Sequence, residues 1–256
     1  MFARSTELFL KKLSILISKL EKEYMKKYVI IDKRMRDKEK EYLNKIGYNT
    51  LEINYHPEVY EEISSHVDIF VCKINNNIFI APNIKEIELQ NAIIGKSKVL
   101  EKYPLDIKYN VASIGEYVIH NFKYTDKTIL DYIENNELKK INVKQGYTKC
   151  SISVTSKNSC ITSDELIANQ LLKNGIDVLY VKENNINLLD KEGNPTQMRG
   201  FIGGATGIIE DKFILFGDSK YLDNRERILK HINKYGLELV EFKGELIHDY
   251  GGIVLV

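Results

Sequence analysis

Three stretches of this sequence share one design, and their spacing constrains the fold more than any other feature. Residues 43–54 (LNKIGYNTLEIN), 171–182 (LLKNGIDVLYVK) and 232–243 (INKYGLELVEFK) each resemble a helix end, a glycine and an alternating strand. Glycine accepts the left-handed backbone that ends a helix without a steric penalty, so each stretch predicts a helix followed by a strand. A fourth stretch, 131–144, carries an Asn135-Asn136 pair in place of the glycine.

A hairpin pattern precedes each of these helices. Two short apolar runs flank a few polar turn residues, which is typical of two antiparallel strands. The predicted unit is therefore strand, strand, helix, strand, and its length of about forty residues is within the range of known repeat architectures. The hairpins are predicted at residues 69–83, 110–122, 149–164 and 206–219, in copies that begin near His66, Tyr109, Gly146 and Gly203.

Counting the units predicts how the two ends of the chain meet. Residues 27–55 form a fifth copy that lacks its first strand, and the stretch Gly252–Val256 is a strand without a following partner. Pairing Gly252–Val256 with Tyr28–Asp32 would complete the fifth unit and remove exposed sheet edges. The alternative is two separate α/β domains with an unpaired C-terminal strand.

Composition excludes several classes of protein. The chain has 256 residues, 43% of them hydrophobic, which is enough for one large domain or two small ones. Its net charge of +1 comes from scattered charges, so we expect neither nucleic acid nor a membrane surface as a partner. Three cysteines without C-x-x-C spacing do not make a disulfide framework, which favours a cytoplasmic location.

The N-terminal segment, residues 1–26, is predicted to lie outside the repeats. Its apolar residues recur at helical spacing and lysines interrupt them, which favours an amphipathic helical extension over a signal peptide or a membrane span. An equally open interpretation is that the natural chain starts at Met25 and that residues 1–24 are an upstream extension. Residues 27–256 are predicted to form a single domain.

A closed ring of five such units resembles the pentein superfamily, the α/β-propeller fold of guanidino-group-modifying enzymes such as arginine and agmatine deiminases. The resemblance covers residues 27–256. Within the superfamily, the sequence is similar to a bacterial branch that lacks the usual C-terminal catalytic cysteine. It implies an α/β fold of five blades around one central pocket. The stretches that carry it are HVDIFVCKINNNIFIAP (66–82), QGYTKCS (145–151), GFIGGATG (200–207) and DYGGIVLV (249–256).

The resemblance also implies a reaction, and this sequence departs from it. In these enzymes a cysteine after a C-terminal glycine pair attacks the amidino carbon, a histidine of the central hairpin moves protons, and two carboxylates hold the guanidinium. Here Gly251-Gly252 is followed by Ile253, Val254, Leu255 and Val256, and the central hairpin has no histidine. The departure counts against the standard deiminase reaction.

Three residues remain as candidates for catalysis. His66 and Asp68 are two positions apart on a predicted strand, so both can face one side as an acid–base pair or a clamp on a cation. The alternative is that they only cap backbone amides at the strand end. Cys150 follows Lys149, which we expect to lower the thiol pKa. A buried cysteine acting as a small apolar side chain is the more common case.

Pseudosymmetry places further polar residues at the predicted pocket. Asp249 either pairs with a cationic ligand or fixes the turn before the last strand. No set of histidines and cysteines has zinc-site spacing, so the sequence predicts neither a metal nor another cofactor. The predicted ligand-binding residues are Asn110, Tyr147, Lys149, Thr206 and Asp249.

Two functions are consistent with these patterns. The first is the binding of a small guanidino, amidino or amino-acid-like ligand in the central pocket, with a divergent amidino hydrolase as its catalytic form. The second is a non-catalytic pentein that acts as a protein-binding module, as the ribosome-binding initiation factor of this fold does. The missing cysteine motivates the second function.

Overall fold

The repeated design of the sequence folds into three-stranded sheets connected by helices. The structure is a computed structural model that describes residues 27–256, so the predicted helical extension of residues 1–26 lies outside the described residues. The helices are α1 (Asp37–Lys45), α2 (Val67–Phe70), α3 (Lys127–Asn135), α4 (Thr148–Ser151), α5 (Glu165–Lys173) and α6 (Arg225–Lys234), with 3-10 turns at Glu61–Ile63 and Ser219–Tyr221.

The strands are short, and each described strand has two to six residues. In chain order they are β1 (Lys27–Asp32), β2 (Tyr48–Ile53), β3 (Val71–Ile74), β4 (Asn77–Ile80), β5 (Ile93–Ile94), β6 (Ala112–Ile114), β7 (Tyr117–His120), β8 (Lys139–Asn142), β9 (Ile152–Ser156), β10 (Ser159–Thr162), β11 (Asp177–Tyr180), β12 (Ile186–Leu189), β13 (Pro195–Arg199), β14 (Thr206–Ile209), β15 (Lys212–Leu215), β16 (Glu238–Val240), β17 (Ile247–His248) and β18 (Val254–Leu255).

Five of the sheets have the same topology. The second strand lies in the centre, antiparallel to the first strand and parallel to the third. Their strand orders are β18-β1-β2, β3-β4-β5, β6-β7-β8, β9-β10-β11 and β14-β15-β16. The first strands lie side by side, with β3 next to β18, β6 next to β3, β9 next to β6 and β14 next to β9. The ends of these first strands therefore converge on one region.

The C-terminal strand completes the first sheet. Val29 lies opposite Leu255 and Ile30 opposite Val254 in an antiparallel pair. The backbone amide of Tyr28 donates to the carbonyl of Val256 at 3.3 Å, and the reverse bond measures 3.0 Å. The predicted pairing of the two chain ends is confirmed, and the unpaired C-terminal strand of the alternative is wrong.

The predicted helix ends hold at the three glycines. Gly47, Gly175 and Gly236 have φ values of 93°, 77° and 70°, the left-handed backbone that glycine accepts. In the fourth copy the left-handed residue is Glu137, with a φ of 54°, and neither asparagine of the Asn135-Asn136 pair adopts it. Glu137 directly follows the C-cap residue Asn136, as each of the three glycines follows the C-cap of its helix, so the predicted pair lies just before the equivalent position.

Two parts of the architecture differ from the predicted repeat. The copy that begins near His66 has no helix between β4 and β5; Pro82 begins an irregular segment that buries Ile84 and Ile87. The chain between β11 and β14 adds a hairpin, β12 and β13, which pairs with β17 to form a sixth sheet in the order β13-β12-β17. The repeat comparison missed this hairpin because no other copy contains it.

Burial of the helix faces holds the repeats together. Ile129 and Ile133 of α3, Ile167 and Leu171 of α5, and Ile228 and Ile232 of α6 are all buried at i and i+4. Each such side chain stabilises the fold by about 1.5–3 kcal/mol through removal of its surface from water. Among the described helices, none has the length and apolar character that a membrane crossing needs.

Candidate functional site

Two short helices bring the three candidate catalytic residues together. His66 immediately precedes α2 and Asp68 lies within it, whereas Cys150 lies in α4. The two helices lead into β3 and β9, so they occupy equivalent places in two repeats. The side chains of His66, Asp68 and Cys150 are buried, and one donor atom from each lies within 4.8 Å of the others. His66 and Asp68 are thus neighbours through a helical turn and not through the predicted strand.

Asn110 connects this cluster through four hydrogen bonds. Its Oδ1 accepts from the backbone amides of Lys149 at 2.7 Å and Cys150 at 3.2 Å. Its Nδ2 donates to the carbonyl of Asp68 at 3.2 Å and to the Cys150 sulfur at 3.1 Å. Asn110 was predicted to bind a ligand, and the structure uses its side chain to hold three repeats in register.

Asp249 lies on the other side of the histidine. Its Oδ1 is 3.7 Å from His66 Nδ1 and accepts the Gly251 amide at 2.9 Å, while its Oδ2 accepts the Phe201 amide at 2.8 Å. These bonds fix the turn before β18 and also place a carboxylate beside the ring. A Cβ at Gly204 would lie 1.8 Å from Asp249 Oδ1, so only glycine fits there.

His66 and Asp68 are left without hydrogen-bond partners in the described part of the chain. Neither ring nitrogen of His66 and neither carboxylate oxygen of Asp68 is bonded, although both side chains are buried. The interpretation that they cap backbone amides is therefore wrong. Buried polar groups without partners are costly and occur mostly where a ligand or a chemical role compensates.

Burial sets the charge state of the cluster. It raises the pKa of Asp68 to about 7, against a smaller lowering by Lys149, with Asp249 adding to the rise. Burial also lowers the pKa of His66, more strongly than nearby Asp249 raises it, so the imidazole is neutral. An apo site with a neutral ring and a partly protonated carboxyl avoids the cost of isolated buried charge.

The predicted activation of Cys150 by Lys149 is wrong. Burial raises the pKa of the Cys150 thiol well above its ordinary value, and the carboxylates of Asp68 and Asp249 raise it further. The hydrogen bond from Asn110 lowers the thiol pKa only in part, whereas the Lys149 ammonium group donates to the carbonyl of Gly203 at 3.4 Å. The thiol is therefore protonated near neutral pH in the absence of a ligand.

The cluster separates two cavities. The first, which we call the histidine cavity, has a volume of about 230 Å³ and reaches His66, Cys150 and Asp249. The second, the lysine cavity, has a volume of about 190 Å³ and is lined by Asp68, Lys73 and Lys149 among apolar side chains. The rim of the histidine cavity includes Tyr60, Glu62, Tyr147, Met198, Arg199 and Phe201.

The hydroxyl groups of Tyr147 and Thr206, two further predicted ligand-binding residues, already have hydrogen-bond partners. Tyr147 lines the histidine cavity and its hydroxyl donates to Asp106 at 2.5 Å. The Thr206 hydroxyl bonds to the carbonyl of Ile202 and to Ser153, and Thr206 lines a separate cavity of about 110 Å³. Thr206 does not join the cluster. The comparison of the repeats did not predict Arg199 as a cavity-lining residue, because the inserted hairpin that carries it has no counterpart in the other repeats.

Comparison of the sequence with family profiles gives one match over most of the chain. Residues 30–254 match a family described as a family of unknown function, DUF6873. The chain belongs to this family. Among curated proteins, none matches the sequence.

Comparison of the structure with solved structures identifies the fold of this DUF6873 member. One similar structure is the dimethylarginine dimethylaminohydrolase of Pseudomonas aeruginosa, a cysteine-to-serine variant complexed with citrulline. Another is a dimethylarginine dimethylaminohydrolase adduct with S-methyl-L-thiocitrulline. Each is 9% identical, covers 85% of this chain and 92% of its own, and superposes with a TM-score of 0.50. These enzymes are penteins, so the mixed α/β fold predicted from the resemblance is confirmed at this level.

Proposed function

We propose that this DUF6873 protein binds a small cationic ligand of the guanidino, amidino or amino-acid-like class at the cluster of His66, Asp68 and Cys150, between the histidine cavity and the lysine cavity. The observation that carries the proposal is the buried Asp68 carboxylate, which has no hydrogen-bond partner in residues 27–256. A cation that donates hydrogen bonds would satisfy both oxygens at once, and a planar amidinium does so in a bidentate geometry. Arginine-like ligands have such a group.

The side of the cluster that faces the histidine cavity supports a cation more than an anion, whereas Lys73 and Lys149 line the lysine cavity on the other side. Asp249 adds a second carboxylate beside His66, and among the described residues that line the histidine cavity the carboxylates of Asp249 and Glu62 outnumber the one cation, Arg199. His66 is neutral and contributes no positive charge. Two carboxylates near a neutral ring attract a positively charged group in a site shielded from water.

The fold supports the same ligand class. We propose that the five sheets of common topology are the blades of a pentein propeller formed by one domain, residues 27–256, with the cluster near its axis. The solved relatives contain citrulline or S-methyl-L-thiocitrulline, which are small amino-acid-like molecules. The histidine cavity provides a space of about 230 Å³ beside the cluster for such a ligand.

A divergent amidino hydrolase is the catalytic form of this proposal. Cys150 would attack the amidino carbon after transfer of its thiol proton to His66, and that proton would pass to the amine as it leaves. Water would then hydrolyse the thiouronium intermediate, which releases the product and restores the thiol. The raised pKa of Cys150 makes the attack depend on the bound cation, which would stabilise the thiolate. Binding is therefore the primary proposal and turnover a second, separate question.

Calorimetric titration with arginine, agmatine and methylarginines tests the binding. The protein is first treated with EDTA so that metal ions do not compete. We expect saturable binding by at least one guanidino compound and a loss of about 10-fold or more in Asp68→Asn, because a charge-assisted bidentate pair is lost. Asp106→Asn is the matched control, since this buried carboxylate already accepts from Tyr147. Equal binding by both variants, or no binding at all, would contradict the proposal.

Turnover is tested with a haloacetamidine and intact mass. An adduct that Cys150→Ala removes and Cys72→Ala keeps would support a thiol mechanism. An adduct independent of Cys150 would remove it, without affecting the binding proposal.

A protein-binding module remains the second candidate. The exposed aromatic and apolar rim of the histidine cavity favours it, with Met198 55% and Tyr60 43% exposed. A guanidino ligand that binds inside the cavity would argue against a purely structural role for this site.

A further inference from the structure

The cluster of His66, Asp68 and Cys150 has the composition of a transition-metal site. The three residues offer one imidazole nitrogen, one carboxylate oxygen and one sulfur, and these atoms lie within 4.8 Å of one another. The sequence did not suggest this site, because His66 and Asp68 alone were too few ligands. The fold adds Cys150 from a repeat two units further along the chain.

The donor atoms are available for a metal. Both ring nitrogens of His66 and both oxygens of Asp68 are buried and lack partners in residues 27–256. Protein groups that bind zinc place their donors about 2.0–2.3 Å from the ion, so donors within 4.8 Å need only a modest contraction. The cluster has the unsatisfied polar atoms that a bound ion would satisfy.

The surrounding residues match the outer shell of a metal site. Asp249 Oδ1 lies 3.7 Å from His66 Nδ1, so ligation through Nε2 would leave the Nδ1 proton for this carboxylate. Asn110 Nδ2 donates to the Cys150 sulfur at 3.1 Å, a bond that stabilises a thiolate. Outer partners of this kind orient the ligands of metal sites.

We propose that His66, Asp68 and Cys150 form a binding site for Zn²⁺ or a similar borderline-soft divalent ion. The sulfur and nitrogen donors exclude Mg²⁺ and Ca²⁺, which take oxygen ligands. One imidazole, one carboxylate and one thiolate neutralise a divalent charge, which suits a buried site.

Three protein ligands leave a fourth position open. His66 and Cys150 line the histidine cavity, so this position faces a space of about 230 Å³ that admits water or a ligand. Three ligands and an open position are the arrangement of catalytic zinc sites, whereas structural sites have four protein ligands. The site goes beyond the proposed cation binding and does not depend on it.

Metal content and Co²⁺ spectroscopy test the site. The purified protein is stripped with EDTA, loaded with Zn²⁺ alone, passed over a desalting column and assayed for bound metal. We expect one Zn²⁺ per chain and, with Co²⁺ alone, the absorption of a thiolate-to-cobalt transition. Cys150→Ser should abolish the thiolate band, and His66→Gln and Asp68→Asn should weaken Zn²⁺ binding by about 100-fold or more, beyond the loss caused by removing an outer partner.

Matched controls separate ligation from folding. Cys72→Ser and Asp106→Asn alter buried residues outside the cluster and should keep one Zn²⁺ and the full band. Asn110→Ala and Asp249→Asn should weaken binding by about 10–100-fold. Failure of the wild-type chain to retain Zn²⁺, or a band that persists in Cys150→Ser, would overturn the proposal. The guanidino titration uses EDTA-treated protein, so the proposed ligand binding and the proposed Zn²⁺ site can be refuted independently of each other.

Discussion

Replacing Asp68 with asparagine should change how stability depends on pH. Burial raises the pKa of the Asp68 carboxyl to about 7 from an ordinary 3.8, so the folded protein resists ionisation that the unfolded chain accepts. The contribution of the protonated Asp68 carboxyl to the free energy of unfolding is fully present below pH 3.8 and is lost as the pH rises through about 7. At 1.36 kcal/mol per pKa unit, the loss above pH 7 amounts to about 4 kcal/mol.

In Asp68→Asn the side-chain amide has nearly the shape of the carboxyl that it replaces but cannot ionise. Relative to wild type, the free energy of unfolding of the variant should rise between pH 4 and pH 7 by about 4 kcal/mol in total and stay level above that. The buried amide without a partner lowers the free energy of unfolding of the variant by about 1–3 kcal/mol at every pH. The test is therefore how the difference between variant and wild type changes with pH, and not whether the variant is more or less stable. Urea unfolding in EDTA from pH 4 to pH 8.5 measures the difference.

Asp126→Asn is a control in which the stability difference from wild type should change with pH in the opposite direction. The carboxylate of Asp126 accepts the backbone amides of Lys96, Ser97 and Thr128, and these bonds lower its pKa despite partial burial. Its stabilising effect is present above its ordinary pKa and is lost as pH falls, so this variant should lose stability at neutral pH. A difference between wild type and Asp68→Asn that does not vary with pH would refute the reasoning.

Three further outcomes follow from the geometry. Gly251→Ala should cost about 2–4 kcal/mol in chemical unfolding, because its φ is +70° and a Cβ would lie 2.8 Å from the Val67 amide; Gly175→Ala, with open space around it, should cost about 1 kcal/mol. Iodoacetamide should label Cys150 slowly at pH 7 and faster as pH rises, since its thiol pKa is raised; rapid labelling at pH 7 in mass spectra would contradict the structure. Val254→Ala should lower the free energy of unfolding by about 2 kcal/mol, because this buried residue joins β18 to the core; an unchanged urea midpoint would show that the pairing carries no stability.

Local sequence signals predicted the repeated parts of the fold. Gly47, Gly175 and Gly236 marked the helix ends because the left-handed backbone leaves few other choices. The pairing of β18 with β1 followed from counting strands. The inserted hairpin of β12 and β13 and the helix-free segment after β4 were not predictable in this way, because neither repeats elsewhere in the chain.

The sequence named three candidate residues that the structure brings together, but it did not predict their charge states. His66, Asp68 and Cys150 were named from their places in the repeats, and they meet in the structure. The pKa of Cys150 was misjudged because the neighbour in sequence, Lys149, donates elsewhere, while the neighbours in space are carboxylates. Charge and burial depend on contacts between distant segments, which a sequence pattern does not contain.

The bond between Tyr28 and Val256 has a consequence for how the chain could be rewired. Because these residues are adjacent, a short glycine–serine linker could run from Val256 to Lys27 in a variant from which residues 1–26 are removed. New ends could then open at the exposed turn between Glu210 and Asp211. Such a circular permutant would have the same strand contacts in a different chain order, and β1 would follow β18 directly along the polypeptide.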